Sequence, residues 1–323
     1  MHKVVIAGSG PAGLTAAIYA ARADLEPILL EGSQPGGQLT ITTEVENFPG
    51  FSDAVMGPDL VDSIRRQALR FGTVILPRDI QRVDLSERPF RLQLDEGHVL
   101  RTHTLIIATG ARARLLGLPS EKALMGHGVS ACATCDGFFF RGKKVLVIGG
   151  GDSAVEEANF LTKFASSVTI VHRRDELRAS KIMQQRALEN PKIDFLWNST
   201  IVEFLGVEEK KLRAVKVQNT VTGEESEVAC DGAFIAIGHT PNTAFLDGQI
   251  KLDPSGNILV KDPRTETSVE GVFAAGDVAD RIYRQAITAA GTGCRAAIDA
   301  ERYLRDKKDE LEAIDKAFAA QTR

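Results

Sequence analysis

The chain has 323 residues, of which 43% are hydrophobic and 25% charged, with a formal net charge of −4. This is the mix of a globular protein long enough for two compact domains, and its acidic balance excludes a general attraction to nucleic acid or to an anionic membrane. Four cysteines are far too few for a disulfide scaffold, and no run of about 18 apolar residues offers a membrane-spanning helix.

The opening MHKVVIAGSG has no long apolar run after Lys3. No cleaved secretory signal is therefore expected, and the chain reads as cytoplasmic. Lys3 to Ala7 is a continuous apolar run that predicts a parallel strand buried on both faces. It ends in GSGPAG (Gly8 to Gly13), followed by LTAAIYAARA, a predicted helix, and PILLE, a second strand. The pattern returns as KKVLVI (Lys143 to Ile148), GGGDSA (Gly149 to Ala154), VEEANFLTKFA and SVTIVHRR.

Two strand–GxGxx(G/A)–helix–strand units predict an α/β protein with two Rossmann-like nucleotide-binding domains. The first Gly permits a tight turn and the second lets backbone approach a pyrophosphate. The third position must be small so that the helix packs on the strand, and the helix N-terminus faces the anion. The candidates are Gly8, Ser9, Gly10, Pro11 and Ala12 in the first turn, and Gly149, Gly151, Asp152 and Ser153 in the second. The alternative at each is a turn that merely connects strand and helix.

The residues beyond the two turns differ in charge. Glu31 stands near the spacing of about 20 residues expected of an acid that accepts from ribose hydroxyls. At the matching place after Gly149 stand His172, Arg173 and Arg174, with Arg178 just beyond. Guanidinium groups bind a 2′-phosphate bidentately, whereas an acid repels it. The first site should thus take an adenine dinucleotide without a 2′-phosphate and the second NADPH. A solvated basic loop is the alternative at the second.

TLIIATGA (Thr104 to Ala111) predicts a buried strand ending in Ala108, Thr109 and Gly110. GVFAAGDVAD (Gly271 to Asp280) predicts another, ending in Gly276 and Asp277, and Arg284 to Leu304 predicts a long helix. An Asp at a strand end can accept from a sugar alcohol, and a helix N-terminus can face a flavin or phosphate. The simplest organisation is discontinuous: residues 1–115 and 246–323 form the first domain, with 116–245 inserted. The expected hinges are LGLPSE (Leu116 to Glu121) and AIGHTPNT (Ala236 to Thr243). Alternation over Ile193 to Ala229, with a turn at Val221-Thr222-Gly223-Glu224, predicts antiparallel strands.

Cys132 and Cys135 form a CxxC just before the second Gly-rich unit. Such a pair can hold a disulfide, two thiols or half a zinc site. Cys230 and Cys294 are single and distant, which argues against zinc and makes them small buried hydrophobes. A reversible dithiol fits a chain that carries two nucleotide sites. Asp136 beside the pair could move the proton that thiol–disulfide exchange requires. A plain turn residue in Asp-Gly is the alternative.

These motifs resemble a known family. GSGPAG, GGQLTITTEVENFPG, ATGA, SACATCDG, GGGDSAVEEA, HRRDELRASK, AIGHTPNT, GVFAAGDV and YRQAITAAGTGC, in this order, are similar to the low-molecular-weight thioredoxin reductases. The resemblance implies FAD in the first domain and NADPH in the second. It places Gly36, Gly37, Gln38 and Asn47 in the flavin site with Asp277, Arg284, Gln285 and Ala286. It implies Cys132 and Cys135 as the redox pair and Asp136 as the acid–base group. Hydride would pass from NADPH to FAD, electrons then to the disulfide and on to thioredoxin, with Cys132 attacking thioredoxin and Cys135 facing the flavin. Rotation of the inserted domain would let its two reactive parts take turns at one flavin, and a homodimer through the FAD domain is expected.

This sequence carries Asp152-Ser153 where many bacterial members have Asn-Thr. Its tail after Leu304 predicts a solvated terminal helix, with docking of Phe318 against a neighbour or the flavin site as the alternative. Peroxide-system reductases that share this core usually add an N-terminal module. NADPH–ferredoxin flavoproteins of this architecture lack the cysteine pair, and ferredoxin-reduced relatives lack the nucleotide motif. A redox-responsive binding protein that holds FAD without turnover is the reading from another class.

Overall fold

A strand such as Val4-Val5-Ile6-Ala7 has no polar face to offer water, so it must be covered on both sides. In the computed structural model, which describes residues 1–41 and 44–321, all four of these side chains are buried. Thr42 and Thr43, within the GGQLTITTEVENFPG stretch, and the last two residues of the tail lie outside the described residues. The chain divides into two compact units, Met1–Arg112 with Thr240–Arg323, and Ala113–His239.

In the first unit the parallel strands run in the order Val74–Leu76, Ile28–Leu30, His2–Ala7, Val99–Ile107. The long strand Val99–Ile107 joins the parallel and antiparallel parts of one seven-stranded sheet. Its second half pairs in parallel with Val272–Ala274, and its first half pairs antiparallel with Phe90–Leu94, which in turn pairs with Ile80–Asp84. Val4, Ile6, Ile106 and Phe273 pack on one face beneath the helices Pro11–Arg22 and Ala286–Asp306. Val5, Leu105, Ile107 and Val272 pack on the other with Phe90 and Leu92.

The two helices touch backbone to backbone. A Cβ added at Gly293 would lie 2.1 Å from the Ala12 carbonyl oxygen. The tail forms the helix Lys308–Gln321, and it docks on its own unit. Leu311 is buried, Asp315 lies 3.1 Å from the buried His103, and the Arg101 guanidinium sits 5.0 Å from the Phe318 ring. Phe318 is thus held by the strand Val99–Ile107.

In the second unit five parallel strands run in the order Val129–Ser130, Gly232–Ile235, Lys144–Ile148, Ser167–Val171, Ile193–Leu196. Beyond them lies an antiparallel sheet, Ser199–Leu205, Ala214–Asn219 and Glu225–Ala229. The expected antiparallel region therefore begins later than Ile193. Ile193–Leu196 alternates because it is the edge strand of the parallel sheet, and an edge strand shows the same period as a half-exposed antiparallel one.

The LGLPSE segment belongs to the second unit. Leu116, Gly117 and Leu118 donate their backbone N–H groups to the buried Glu121 carboxylate at 2.8, 2.8 and 3.3 Å. The chain crosses between units earlier, at Arg112–Ala113, and returns at His239–Thr240. Both crossings fall in short strands, Ala111–Ala113 and His239–Pro241, which pair with each other. Gly and Pro mark a turn in sequence but do not say which side ties it down.

Gly293→Ala forces the Ala12 carbonyl away from its helix partner. The substitution is expected to cost about 1–3 kcal/mol, read as a lower urea midpoint at unchanged slope.

Candidate functional site

In the first unit the first turn is closed on two sides and open on the third. A Cβ at Gly13 would lie 1.9 Å from the Gly8 carbonyl oxygen, and one at Gly8 would lie 2.4 Å from that of Ala108. A Cβ at Gly10 would meet nothing within 4 Å. Pro11 opens the helix at its first turn, where its missing N–H is no loss. This is the shape a pyrophosphate requires, with backbone N–H groups facing open space at a helix N-terminus.

Ser9 ties three segments of this cradle together. Its hydroxyl donates to the Glu31 carbonyl at 3.1 Å and accepts from the Gly36 N–H at 2.8 Å. Gly36 and Gly37 have φ of 82° and 68°, a region open to glycine at little cost, and Gln38 comes next in the 3-10 turn Gly37–Ile41. A Cβ on Gly37 would lie 3.4 Å from the Gly10 Cα, so the two turns adjoin. Asn47 Nδ2 donates to Gln285 Oε1 at 3.3 Å, which joins residues far apart in the chain. Gln285 caps the helix Ala286–Asp306.

Three residues not named as candidates from the sequence complete this unit. Asn242 holds Thr109 and Gly110: its amide donates to the Thr109 carbonyl, its carbonyl accepts from the Thr109 hydroxyl, both at 2.8 Å, and its N–H donates to the Gly110 carbonyl at 3.0 Å. The Asp280 carboxylate accepts from the N–H groups of Ile282, Tyr283 and Arg284 at 2.8, 2.9 and 3.1 Å. That holds Arg284 at φ 48°, a backbone region costly for any residue but Gly. Arg65 Nε donates to Glu31 Oε1 at 3.1 Å. Asp280 carried the local signal of an Asx turn, whereas Arg65 carried none.

Asp277 lies between the buried Gly276 and Val278. Burial, reinforced by the charge of Asp280 and opposed by Arg284, pushes its carboxyl up to about 6. Gly276 is fixed by its N–H donating to the Thr292 hydroxyl at 2.9 Å.

In the second unit the turn repeats these constraints. A Cβ at Gly149 would lie 2.5 Å from the Ala236 carbonyl oxygen, whereas one at Gly151 would meet nothing within 4 Å. Gly150, not singled out in the sequence, is the tightest: a Cβ there would lie 2.3 Å from the His172 ring. The Asp152 carboxylate accepts from the Ser180 N–H and hydroxyl at 2.7 and 2.9 Å, so it braces the turn. Ser153 is exposed beside it.

The N–H groups of Arg178 and Ala179 donate to the Gly150 carbonyl at 2.7 and 3.1 Å, and the Arg174 carbonyl accepts from the Asn198 N–H at 3.0 Å. This backbone anchoring leaves the side chains of Arg173, Arg174 and Arg178 exposed, and among the described residues none is in an ion pair. His172 is buried, and its Nε2 has no hydrogen-bond partner. Burial and then the charge of Arg178 hold its imidazole below the ordinary range, so it is neutral. Trp197, also without a motif, sets its ring 6.4 Å from that of His172 and stacks on Phe195.

Cys132 and Cys135 form a disulfide, with Cα atoms 5.4 Å apart. The pair comes directly after the strand Val129–Ser130, so parallel pairing brings it to the same sheet edge as Gly149 and His172. The Ser130 hydroxyl accepts from the Cys132 N–H at 3.0 Å, and the Cys132 carbonyl accepts from the Asp136 N–H at 3.2 Å. Cys135 is exposed, Cys132 half-buried. Burial raises the Asp136 carboxyl above the usual range, and the Ser130 hydroxyl pulls the other way. Of the remaining cysteines Cys230 is buried, with its thiol pushed up to about 12 by burial and Asp231. Cys294 is half-buried, beside Tyr19, rather than in the core. Among the described residues no His, Cys, Asp and Glu cluster could hold a metal ion, and no helix is long and apolar enough to cross a membrane.

Residues 2–293 match the family model described as pyridine nucleotide-disulphide oxidoreductase. The chain is 55% identical to a thioredoxin reductase of Rickettsia felis, over 94% of this chain and 98% of the relative. It is 54% identical to one of Streptomyces clavuligerus over 99% of each. A solved thioredoxin reductase from Giardia duodenalis superimposes with a TM-score of 0.90 at 44% identity, over 94% of this chain and 98% of that one.

The raised carboxyl of Asp277 has a stability consequence. Its folded value of about 6 exceeds the ordinary 3.8, so the folded protein binds the proton more tightly, and stability falls as pH rises from about 4 to about 6. Ligand-free Asp277→Asn is expected to melt with wild type at pH 4 and several degrees above it at pH 7, at about 2–4 °C per kcal/mol. Calorimetry at both pH values checks this.

Proposed function

The chain belongs to the pyridine nucleotide-disulphide oxidoreductase family, and from that premise we propose that it carries electrons from NADPH to the disulfide of thioredoxin. The observation that carries the reading is a solvent-facing Cys132–Cys135 disulfide beside a half-buried acid, in a unit whose glycine turn is followed by three exposed arginines with no ion pair among the described residues. The first unit would hold FAD, its pyrophosphate over Gly10 with Glu31 on the adenosine ribose. Asp277 and the Asp280-held turn to Gln285 would face the rest of the molecule. The second would hold NADPH, its pyrophosphate over Gly151 and its 2′-phosphate among Arg173, Arg174 and Arg178.

FAD, when bound, supplies the two-electron relay between the nicotinamide and the disulfide. The protein's own residues do the sulfur chemistry. Reduction breaks the Cys132–Cys135 bond. The Cys132 thiolate attacks one sulfur of the thioredoxin disulfide, and the other sulfur leaves and takes a proton from Asp136. The Cys135 thiolate then attacks Cys132 in the mixed disulfide, which releases reduced thioredoxin and restores the enzyme disulfide. An acid raised by burial is better suited to this than an ordinary carboxyl, since its proton affinity lies closer to that of the thiolate it must serve.

Phe138 and Phe139, 54% and 37% exposed just after the pair, offer an apolar surface on which a protein disulfide can dock. Rotation of the second unit about Arg112–Ala113 and His239–Thr240 would present its nucleotide and its disulfide to the flavin in turn. Ile287, Cys294 and Ile298 lie on one face of the helix Ala286–Asp306, with Tyr19 beside Cys294. That half-exposed stripe supports a homodimer through the first unit. A cytoplasmic setting fits a dithiol that must be kept reduced.

NADPH oxidation with purified thioredoxin as acceptor tests the reading. Turnover should vanish in Cys135→Ser while flavin remains bound and is still reduced by NADPH; wild-type protein that reduces its flavin but not thioredoxin would point to another acceptor. Asp136→Asn is expected to lower thioredoxin turnover by about 100-fold and to leave single-turnover flavin reduction unchanged.

A further inference from the structure

The proposal that the first unit holds FAD leaves open what orients Glu31. This carboxylate is buried, with 9% of its side chain exposed, and a buried charge must be paired and hydrogen-bonded to be tolerated. Arg65 provides this from a different element, the helix Gly57–Arg70, through Nε to Oε1 at 3.1 Å. Among the described residues no other hydrogen bond reaches either carboxylate oxygen. Oε2 is therefore left to accept from a ligand, and its orientation is fixed by the planar guanidinium on the other oxygen.

The same helix face supports a second part of the cradle. Val61 lies one turn before Arg65, and a Cβ at Gly36 would fall 2.7 Å from Val61 Cγ1. Gly36 is in turn tied to the backbone of Glu31 through the Ser9 hydroxyl. One face of Gly57–Arg70 thus holds the acid by its charge and the glycine turn by contact. Glu31 also neutralises Arg65, which removes the attraction for a 2′-phosphate that a lone guanidinium would give this site.

We propose that Arg65 is a positioning residue of the flavin site, setting through Glu31 the acceptor that reads the adenosine ribose and so favouring the dinucleotide FAD over the mononucleotide FMN. FMN shares the ring, the ribityl chain and one phosphate but lacks the adenosine half. A defect confined to ribose recognition therefore weakens FAD alone, whereas a damaged fold weakens both.

The test is reconstitution of flavin-free full-length protein with FAD or FMN, followed by quenching of flavin fluorescence. Arg65→Gln is expected to weaken FAD about tenfold, the loss of one charged hydrogen bond, and to leave FMN within about twofold of wild type. Arg65→Lys should recover part of the FAD affinity. Glu31→Gln should show the same FAD-only loss, and the double variant should be no weaker than Glu31→Gln alone, since both act through one contact. An Arg65→Gln protein that binds FAD as wild type does, or that loses FAD and FMN by the same factor, overturns the inference. A wild-type protein with no preference for FAD over FMN would overturn the FAD assignment itself, and the inference with it.

Discussion

At both nucleotide turns a helix is pressed so tightly onto the strand before it that no side chain fits between them. The added Cβ would sit 1.9 Å from backbone oxygen at Gly13 and 2.5 Å at Gly149. Gly10 and Gly151, a few residues away, face open space instead. Close packing on one side brings the helix N–H groups to the sheet edge, and openness on the other leaves them for an anion. The contact of Gly293 with Ala12 carries the same constraint to the helix that begins at Ala286. Parallel pairing then gathers the remaining groups. Each strand delivers the loop after it to one edge, so Glu31, Thr109 and Asp277 gather in the first unit, and Cys132, Gly149 and His172 in the second.

With two turns so alike in backbone, the charge beside them is what differs. The acid of the first is buried and paired with Arg65, so its charge is balanced, which suits the proposed acceptance from ribose hydroxyls. The cations of the second have their backbones tied to Gly150 and Asn198 and their side chains exposed, with no ion pair among the described residues. Neutral His172, wedged against Gly150, adds no charge but fixes the turn that carries them.

The redox centre shows a similar division by environment. Cys230 is a thiol that burial and Asp231 keep protonated, so it packs as an apolar side chain. Cys132 and Cys135 stand at the surface, and the acid beside them is the group that burial alters. Asp277 presents the same situation in the first unit. A carboxylate kept where ionisation is unfavourable weakens the ligand-free fold, which is the pattern of a residue retained for binding.

The elements that repeat locally are legible in the sequence. Apolar runs ending in glycine turns, the acid or arginines after them, and CxxC followed by Asp each occupy a few consecutive residues, and local geometry dictates what such runs can do. Hence the strands that end in glycine turns and the turns themselves can be read from the residues alone, whereas strands such as Phe90–Leu94 and Gly232–Ile235 cannot. Arg65 and Trp197 cannot either, because each acts on a partner brought beside it only by folding and neither stands in a motif, and Asn242 stands in AIGHTPNT without any sign there that it will hold Thr109. The edge strand Ile193–Leu196 and the segment LGLPSE mislead for a related reason. Alternation does not reveal which neighbour a strand pairs with, and a Gly-Pro turn does not reveal that Glu121 will pin it. Chemistry carried by neighbouring residues can be proposed from the sequence, whereas pairing, burial and the charge state that burial imposes are settled only when distant segments meet.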